Sequence, residues 1–228
     1  MANKQIDAYL KLAKIFKEHG FSLYLAGGTV RDFLLRYPLT DMDVTTDATP
    51  IQMLPFLKGA NDVFAKYGVL RYTYQGVKFD ITTLRIEGNY NDSRHPERIK
   101  FVTDLKKDYV RRDFTVNAMY LDSYFVVYDY VNGKEDIKNK LIRFVGKPSK
   151  RIKEDPLRIM RAIRFALIYG FAFEKKTEIA MKKYAHLLKK VNPEKIKEEI
   201  RKIGDVDESI KNKLFDDFNI HQYIDVLK

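Results

Sequence analysis

The chain has 228 residues, of which 45% are hydrophobic, and a formal net charge of +11. This length and apolar content are enough to bury a core, which excludes general disorder. The absence of cysteine excludes disulfides, thiolate metal sites and cysteine nucleophiles, and four scattered histidines argue against a histidine metal site. Any bound metal is therefore predicted to be a hard cation with oxygen ligands.

The sequence predicts no membrane segment and no export. It contains no apolar run of about 18 residues, and its first residues lack the basic patch and apolar stretch of a secretory signal. A cytoplasmic protein is expected. Residues 138–190 hold 16 Lys and Arg against 4 Asp and Glu, whereas residues 1–130 hold 18 against 16. This local excess indicates a phosphate-rich partner; the alternative is a lysine-rich solvated surface.

The predicted elements of the first half alternate between helix and strand. Apolar residues at helical spacing predict a helix over 6–16. A strand over 21–26, the glycine pair Gly27-Gly28 and a helix over 30–35 follow. Further strands are predicted over 41–45, 69–74, 77–84, 99–102 and 125–130, and further helices over 51–57 and 104–119. This half is predicted to be a mixed α/β domain.

The second half is predicted to be helical. Helices are expected over 157–169, 176–188 and 193–203, with a last weak helical stretch ending near residue 226. The Gly-Lys-Pro-Ser segment at 146–149 is the natural boundary. The sequence therefore predicts two domains, over 1–146 and 147–228.

Asp41 and Asp43 lie two residues apart in a predicted strand, so both carboxylates are expected to point to the same face. Two such carboxylates repel each other unless a cation lies between them, and Mg²⁺ prefers one or two carboxylates together with substrate phosphates. The pair is therefore a candidate Mg²⁺ site. An isolated Asp-x-Asp pair is more often a turn or a solvated surface, so the residues around it in the sequence decide whether it is a metal site.

Gly27 and Gly28 lie at the predicted turn between strand and helix. Backbone without side chains can approach a ligand there, and the first amides of a helix favour phosphate oxygens. Arg31 adds a charged donor near that helix end. The alternative is a tight turn in which Arg31 and Asp32 are surface charges.

Together, residues 25–32 and 41–50 resemble the signature of the class II tRNA nucleotidyltransferase and bacterial poly(A) polymerase family, part of the DNA polymerase beta superfamily. The matching residues are Gly27, Gly28, Arg31, Asp32, Asp41 and Asp43. In that family these residues hold two Mg²⁺ ions and the nucleotide triphosphate. Asp80 falls on the predicted strand where the superfamily often has a third catalytic carboxylate. The resemblance implies an α/β nucleotidyltransferase head, with a mixed sheet and flanking helices, followed by an all-α neck domain.

A second motif, at residues 111–118, resembles the one with which the family contacts the ribose and selects ribonucleotides. Its candidate nucleotide-binding residues are Arg111, Arg112, Asp113 and Asn117. A guanidinium and a carboxylate side by side can donate to phosphate or ring oxygens and accept from a sugar hydroxyl. Taken alone, the motif would indicate a helix start with charged residues on its surface.

The run from Glu154 to Arg158 resembles the family's base-reading motif. Asp155 and Arg158 lie three apart, so at helical spacing both can face one ligand. In the family this pair hydrogen-bonds the edge of cytosine or adenine, and the glutamate braces the arginine. Asp155 before a proline is also an ordinary helix cap, and it can serve both purposes. Arg161 and Arg164 continue the basic face and are expected to meet the RNA or the triphosphate.

The resemblance covers residues 23–203 and implies that the chain adds C and A nucleotides to the 3′ end of tRNA from CTP and ATP, with Mg²⁺. A polar segment over 84–97 resembles a loop that the family needs for the final A. An enzyme that adds only A, a poly(A)-type enzyme and a non-catalytic RNA-binding domain are the alternatives. Family members usually continue for over a hundred residues, so a compact member or a fragment is expected, with an oligomeric state that the sequence leaves open.

Overall fold

The computed structural model describes residues 2–40, 42–88 and 98–223. They form two compact units. The first unit comprises the described residues up to 112 together with 116–134, and the second comprises 113–115 and 135–223. The main part of the second unit thus begins at residue 135, before the predicted boundary at 146–147. The predicted domain boundary stays a prediction.

The first unit combines a sheet with flanking helices. Its helices are α1 Ala2–Glu18, α2 Gly28–Leu35, α3 Pro50–Met53 and α4 Leu105–Asp108. Its strands are β1 Leu23–Ala26, β2 Met42–Thr46, β3 Val69–Tyr74, β4 Val77–Thr83, β5 Arg85–Glu87, β6 Ile99–Phe101, β7 Met119–Leu121 and β8 Val127–Asp129.

Six of these strands form one sheet in the order β3-β4-β2-β1-β7-β8. The strands β2 and β4 are parallel, whereas the other neighbours in this sheet are antiparallel. The strands β5 and β6 form a separate antiparallel hairpin. A mixed sheet with flanking helices confirms the fold class predicted for the first half.

Alternation along β4 gives the sheet a covered and an open face. Val77, Phe79 and Ile81 are buried, whereas Lys78 is exposed and Asp80 is half-buried. Successive side chains of a strand point to opposite faces, so the apolar set packs into the core and the polar set faces outward. Functional side chains of this sheet therefore belong to the open face.

The strand β3 forms an edge of the sheet, and the preceding segment covers part of that edge. The backbones of Asn61 and Arg71 exchange two hydrogen bonds, of 2.8 and 3.0 Å. The Val69 N–H donates to the Phe64 carbonyl at 3.2 Å. The outer side of β3 is thus partly hydrogen-bonded within the chain.

A buried tyrosine fixes α1 to the sheet. Tyr9 is fully buried, and its hydroxyl lies 3.0 Å from the Leu23 carbonyl oxygen and 3.1 Å from the Leu121 carbonyl oxygen. Burial raises the pKa of Tyr9 above its ordinary value, so the hydroxyl keeps its proton and acts as the donor. Since Leu23 belongs to β1 and Leu121 to β7, the contact ties two adjacent strands to α1.

From Gly133 onward the chain is mainly helical. The helices are α5 Gly133–Lys138, α6 Pro148–Glu154, α7 Leu157–Tyr169, α8 Lys175–Tyr184, α9 Pro193–Arg201, α10 Glu208–Asp217 and α11 Ile220–Tyr223. Two short parallel strands, β9 Leu141–Ile142 and β10 Ala172–Phe173, join them. The core includes Phe114, whose ring centroid lies 4.9 Å from Phe144 and 5.7 Å from Phe165.

Over the ranges that the structure describes, no helix is both long and apolar enough to cross a membrane.

The predicted helix over 104–119 is wrong. The helix α4 ends at Asp108, short 3-10 turns occupy Tyr109–Arg111 and Thr115–Asn117, and β7 begins at Met119. The Arg112 backbone is extended, with φ −68° and ψ 157°, while the side chains of Arg111 and Arg112 reach the Asp108 carboxylate. The backbone at 113–115 bonds that at 143–145 instead, with the Thr115 N–H donating to the Arg143 carbonyl and the Val145 N–H to the Asp113 carbonyl, both at 2.9 Å. This pairing replaces the helical hydrogen bonds that the spacing of the apolar residues predicted. The helices α5 and α6 and the strands β9 and β10 were also missed.

Tyr9→Phe is expected to lower the free energy of unfolding by about 1 kcal/mol, because it removes a buried hydrogen-bond donor between two strands. Urea denaturation followed by circular dichroism measures this change. Tyr124→Phe is the control, since Tyr124 is 72% exposed. Equal losses in the two variants would contradict the role assigned to the Tyr9 hydroxyl.

Candidate active site

Two carboxylates lie side by side on the open face of the sheet in the first unit. Asp43 in β2 and Asp80 in β4 are register partners in the parallel pair. Their side chains therefore project to the same face from strands about 4.8 Å apart. Asp43 is exposed and Asp80 is half-buried. Asp41, the other carboxylate that the sequence singled out, lies outside the described residues.

A basic side chain extends this row across the sheet. Arg71 in β3 is the register partner of Asp80, and its Nε lies 3.4 Å from Asp80 Oδ1. Both residues line a groove of about 590 Å³ to which Lys58 and Lys78 also contribute. The open face thus changes from acidic at β2 and β4 to basic at the β3 edge.

The glycine turn brings backbone next to Asp43. Gly27 has a φ of +61°, a conformation that favours glycine. A Cβ atom at Gly27 would lie 3.3 Å from Arg112 Nη1 and 3.6 Å from Asp43 Oδ2. Thr29, in the first turn of α2, accepts a hydrogen bond from the Asp43 N–H at 2.9 Å. The turn and the carboxylate strand are therefore held together.

Arg31, which follows the glycine pair, is buried and fixed by two polar neighbours. Its Nη1 donates to Asn117 Oδ1 at 2.6 Å. Its Nε and Nη2 donate to the two oxygens of Asp32, at 2.9 and 3.0 Å. Arg31 Nη2 also lies 3.3 Å from where a Cβ of Gly28 would be. The structure therefore brings together four residues that the sequence predicted to bind nucleotide.

A buried carboxylate that the sequence analysis missed holds the arginine pair of the second motif. Asp108 is fully buried and accepts hydrogen bonds from Arg111 Nε at 2.8 Å and Arg112 Nε at 3.2 Å. The Tyr120 hydroxyl and the Arg85 N–H also donate to it, at 2.7 and 3.0 Å. Burial acts to raise the pKa of Asp108, but the two guanidinium groups outweigh burial and hold that pKa well below its ordinary value.

Arg112 stays charged although only 12% of its side-chain surface is exposed. Burial acts to lower the pKa of Arg112, but Tyr120, Asp108 and Asp43 outweigh it and raise that pKa. The Arg112 guanidinium also lies over the Tyr120 ring, 4.7 Å from its centroid. The signal for this cluster in the sequence was the spacing of three and four residues between Asp108 and the two arginines.

Asp113, the third residue of that motif, belongs to the second unit. Its Oδ2 accepts from Arg161 Nε at 2.9 Å and from Arg161 Nη2 at 2.6 Å. Glu199 in α9 accepts from Arg164 Nε at 2.7 Å. Burial acts to lower the pKa of Arg161, and Asp113 and Glu199 raise it. Both arginines thus have acidic partners in their own unit, and their contact with RNA or triphosphate stays a prediction.

The base-reading candidates lie where α6 meets α7. Arg158 Nη1 donates to Glu154 Oε2 at 3.0 Å and to the Arg151 carbonyl at 2.7 Å. Arg151 Nη1 also bonds Glu154 Oε2. Asp155 Oδ1 accepts from the Leu157 N–H at 3.0 Å, so Asp155 caps α7 with one oxygen. The predicted contact between Glu154 and Arg158 is present, and the reading of a base stays a prediction.

The donor set on the open face fits a hard divalent cation. Asp43 and Asp80 offer carboxylate oxygens on one face, and Mg²⁺ takes one or two carboxylates while phosphates and water complete its shell. Within residues 2–40, 42–88 and 98–223, no group of three His, Asp or Glu side chains is arranged to hold a metal ion.

Two family models match the chain. The model of the poly A polymerase head domain matches residues 23–143, which is more than half of the chain. The model described as a probable RNA and SrmB-binding site of polymerase A matches residues 170–224. The two matches follow one another along the sequence.

Curated relatives and solved structures agree with these matches. A CCA-adding enzyme of Lactobacillus helveticus is 41% identical over 89% of this chain and 51% of its own length. The CCA-adding enzyme of Bacillus stearothermophilus, crystallised with CTP, has a TM-score of 0.89 and 32% identity over 98% of this chain and 54% of its own. The CCA-adding enzyme of Thermotoga maritima, complexed with tRNA, has a TM-score of 0.75 and 25% identity, over 95% of this chain and 51% of its own length. The chain thus spans about half the length of the proteins it matches.

Gly27→Ala is expected to destabilise the protein more than Gly20→Ala. Both glycines have positive φ, +61° and +82°, so alanine costs about 1 kcal/mol of backbone strain at either position. At Gly20 a Cβ meets nothing within 4 Å, whereas at Gly27 it would lie 3.3 Å from Arg112 Nη1, which would have to shift at a cost of about 1 kcal/mol. Urea denaturation of both variants measures the difference, and equal losses would show that the turn has room for a side chain.

Proposed function

The chain belongs to the poly(A) polymerase head-domain family, and on that premise we propose that it adds C and A nucleotides to the 3′ end of tRNA from CTP and ATP. The names of its relatives support this activity, although the chain spans about half their length. The observation that carries the proposal is the pair of in-register carboxylates Asp43 and Asp80 beside the turn at Gly27. The proposed catalytic head is 1–146, the proposed neck is 147–228, and the proposed compartment is the cytoplasm.

Nucleotidyltransferases of this family generally use divalent metal ions, and Mg²⁺ is the ion proposed here. Asp41 and Asp43 are the proposed ligands, with Asp80 as a third catalytic carboxylate. When bound, such ions supply positive charge at the triphosphate and lower the pKa of the RNA 3′ hydroxyl. The 3′ oxygen then attacks the α-phosphorus in line, and pyrophosphate leaves.

The triphosphate is proposed to bind at the turn between β1 and α2. Gly27 is buried and Gly28 is half-buried, and neither has a side chain that would keep a phosphate from the backbone. Arg31 is held beside them by Asp32 and Asn117. An arginine whose geometry is fixed in advance loses little entropy when it binds. For the sugar the proposed residues are Arg111, Arg112 and Asp113, which combine donors with an acceptor for a ribose hydroxyl.

The base is proposed to be read by Asp155 and Arg158, an acceptor and a set of donors three residues apart. The bonds from Arg158 to Glu154 and to the Arg151 carbonyl support a fixed guanidinium. Arg161 and Arg164 are proposed to extend this basic face toward the RNA. The Lys and Arg excess over 138–190 supports phosphate contacts in the same region.

Asp43→Ala is expected to lower nucleotide incorporation by about a thousandfold or more, because it removes an oxygen ligand of the proposed cation. RNA binding, measured by gel shift, should change little. Asp7→Ala is the control, since Asp7 is an exposed carboxylate of the same unit that lies on α1 and not on the sheet. Chelation with EDTA should abolish incorporation, and added Mg²⁺ should restore it. Unchanged incorporation in Asp43→Ala would reject the metal assignment.

The products formed on three RNAs separate the alternatives. Transcripts of one tRNA ending before CCA, after C and after CC are incubated with CTP, ATP or both, and the products are sized. Complete CCA on the shortest RNA is the expected result. Addition of A to the longest RNA alone would indicate an A-adding enzyme, and long A tails a poly(A)-type enzyme. Binding without any addition would leave the RNA-binding domain as the function.

A further inference from the structure

We propose that Asp108 is a positioning residue of the nucleotide site, whose carboxylate holds Arg111 and Arg112 in the arrangement that binds the nucleotide. The inference rests on the proposed function in one respect, the assignment of a nucleotide to these two arginines. The role of Asp108 itself follows from its contacts and its burial. It bonds both arginines and has no exposed surface of its own, so it acts through them.

The two oxygens of Asp108 each hold one arginine. Oδ1 accepts from Arg111 Nε at 2.8 Å and from the Arg85 N–H at 3.0 Å. Oδ2 accepts from Arg112 Nε at 3.2 Å and from the Tyr120 hydroxyl at 2.7 Å. Adjacent guanidinium groups repel each other, and a carboxylate between them offsets that repulsion. One side chain therefore fixes both the separation and the direction of the pair.

Burial makes Asp108 hard to replace. The residue is fully buried, with no exposed surface. Removing its charge would take the shared carboxylate from two guanidinium groups that have little contact with water, and such groups reorient or lose stability. Glu87 is a second acid of the cluster, and its Oε1 lies 3.6 Å from Arg111 Nη1. Arg111 reaches Asp108 through Nε and keeps Glu87 as a neighbour, whereas Arg112 has both Nε and Nη2 at 3.2 Å from Asp108. Arg112 is therefore expected to be affected more.

Arg112 connects Asp108 to the open face of the sheet. Its Nε and Nη2 lie 3.2 Å from Asp108 Oδ2, whereas its Nη1 is 3.3 Å from where a Cβ of Gly27 would be. Asp43 Oδ2 is 3.6 Å from that same point. A shift of the Arg112 guanidinium is therefore expected to move the glycine turn and Asp43, the carboxylate proposed to hold a cation.

The test compares Asp108→Asn with Asp136→Asn. Asp136 is a matched buried carboxylate in the second unit: it is 3% exposed, pairs with Arg143 and accepts from the Thr115 hydroxyl at 2.6 Å. Asp108→Asn is expected to raise the KM for CTP by about tenfold or more and to lower the preference for CTP over dCTP by a similar factor. The KM for tRNA should stay within about twofold. Asp136→Asn should change thermal stability without changing either nucleotide readout.

A double-mutant cycle with Arg112→Gln separates positioning from general loss of structure. If Asp108 acts through Arg112, the effect of Asp108→Asn on the KM for CTP should largely disappear in the Arg112→Gln background. Full additivity would overturn the proposal. So would a fall in kcat with unchanged KM and unchanged CTP preference, since a smaller fraction of folded enzyme gives that pattern.

Equilibrium dialysis of CTP against the same proteins keeps this inference distinct from the proposed function. If the wild-type chain adds no nucleotide to tRNA but binds CTP, and Asp108→Asn alone weakens that binding by about tenfold or more, the positioning role stands and the proposed function fails. If CTP binding is equal in wild type and Asp108→Asn, the positioning role fails. A wild-type chain that binds no CTP overturns both.

Discussion

A buried guanidinium needs a carboxylate partner, and the positions of the candidate site's arginines depend on this requirement. Taking an unpaired charge out of water costs several kcal/mol, which is of the same order as the net stability of a whole domain. The arginines that the sequence singled out obey it, each with an acidic partner close in the chain or in space. The partners are Asp32 for Arg31, Asp108 for Arg111 and Arg112, Glu154 for Arg158, Asp113 for Arg161 and Glu199 for Arg164.

These acids determine where the basic groups of the site point. Arg31 and Arg158 each combine a carboxylate partner with a second acceptor, Asn117 in one case and the Arg151 carbonyl in the other. The acceptors of Arg31 bond different nitrogens of the planar group, which fixes its orientation as well as its position. Both acceptors of Arg158 bond Nη1, which fixes that end of the guanidinium. The lysines of 138–190 are exposed, and a flexible ammonium group suits contact with a polyanion more than recognition of one nucleotide.

Local patterns predicted much of the fold and part of the site. Alternation identified β3 and β4, and the glycine pair located the turn into α2. The side-by-side position of Asp43 and Asp80 could not be derived from spacing, because parallel pairing joins strands distant in the chain and its register has no local signal. Asp108 was missed although Arg111 and Arg112 follow it at three and four residues, because the Arg85 N–H and the Tyr120 hydroxyl, which complete its buried site, come from distant parts of the chain.

The cover over β3 matters for how the protein behaves at high concentration. An open sheet edge is a template on which a strand of another molecule can add, the first step of edge-to-edge aggregation. At Val69 and Arg71 the outward backbone groups already bond Phe64 and Asn61. A foreign strand would have to displace these bonds before it could pair. The segment before β3 therefore also blocks part of this edge against the addition of another strand.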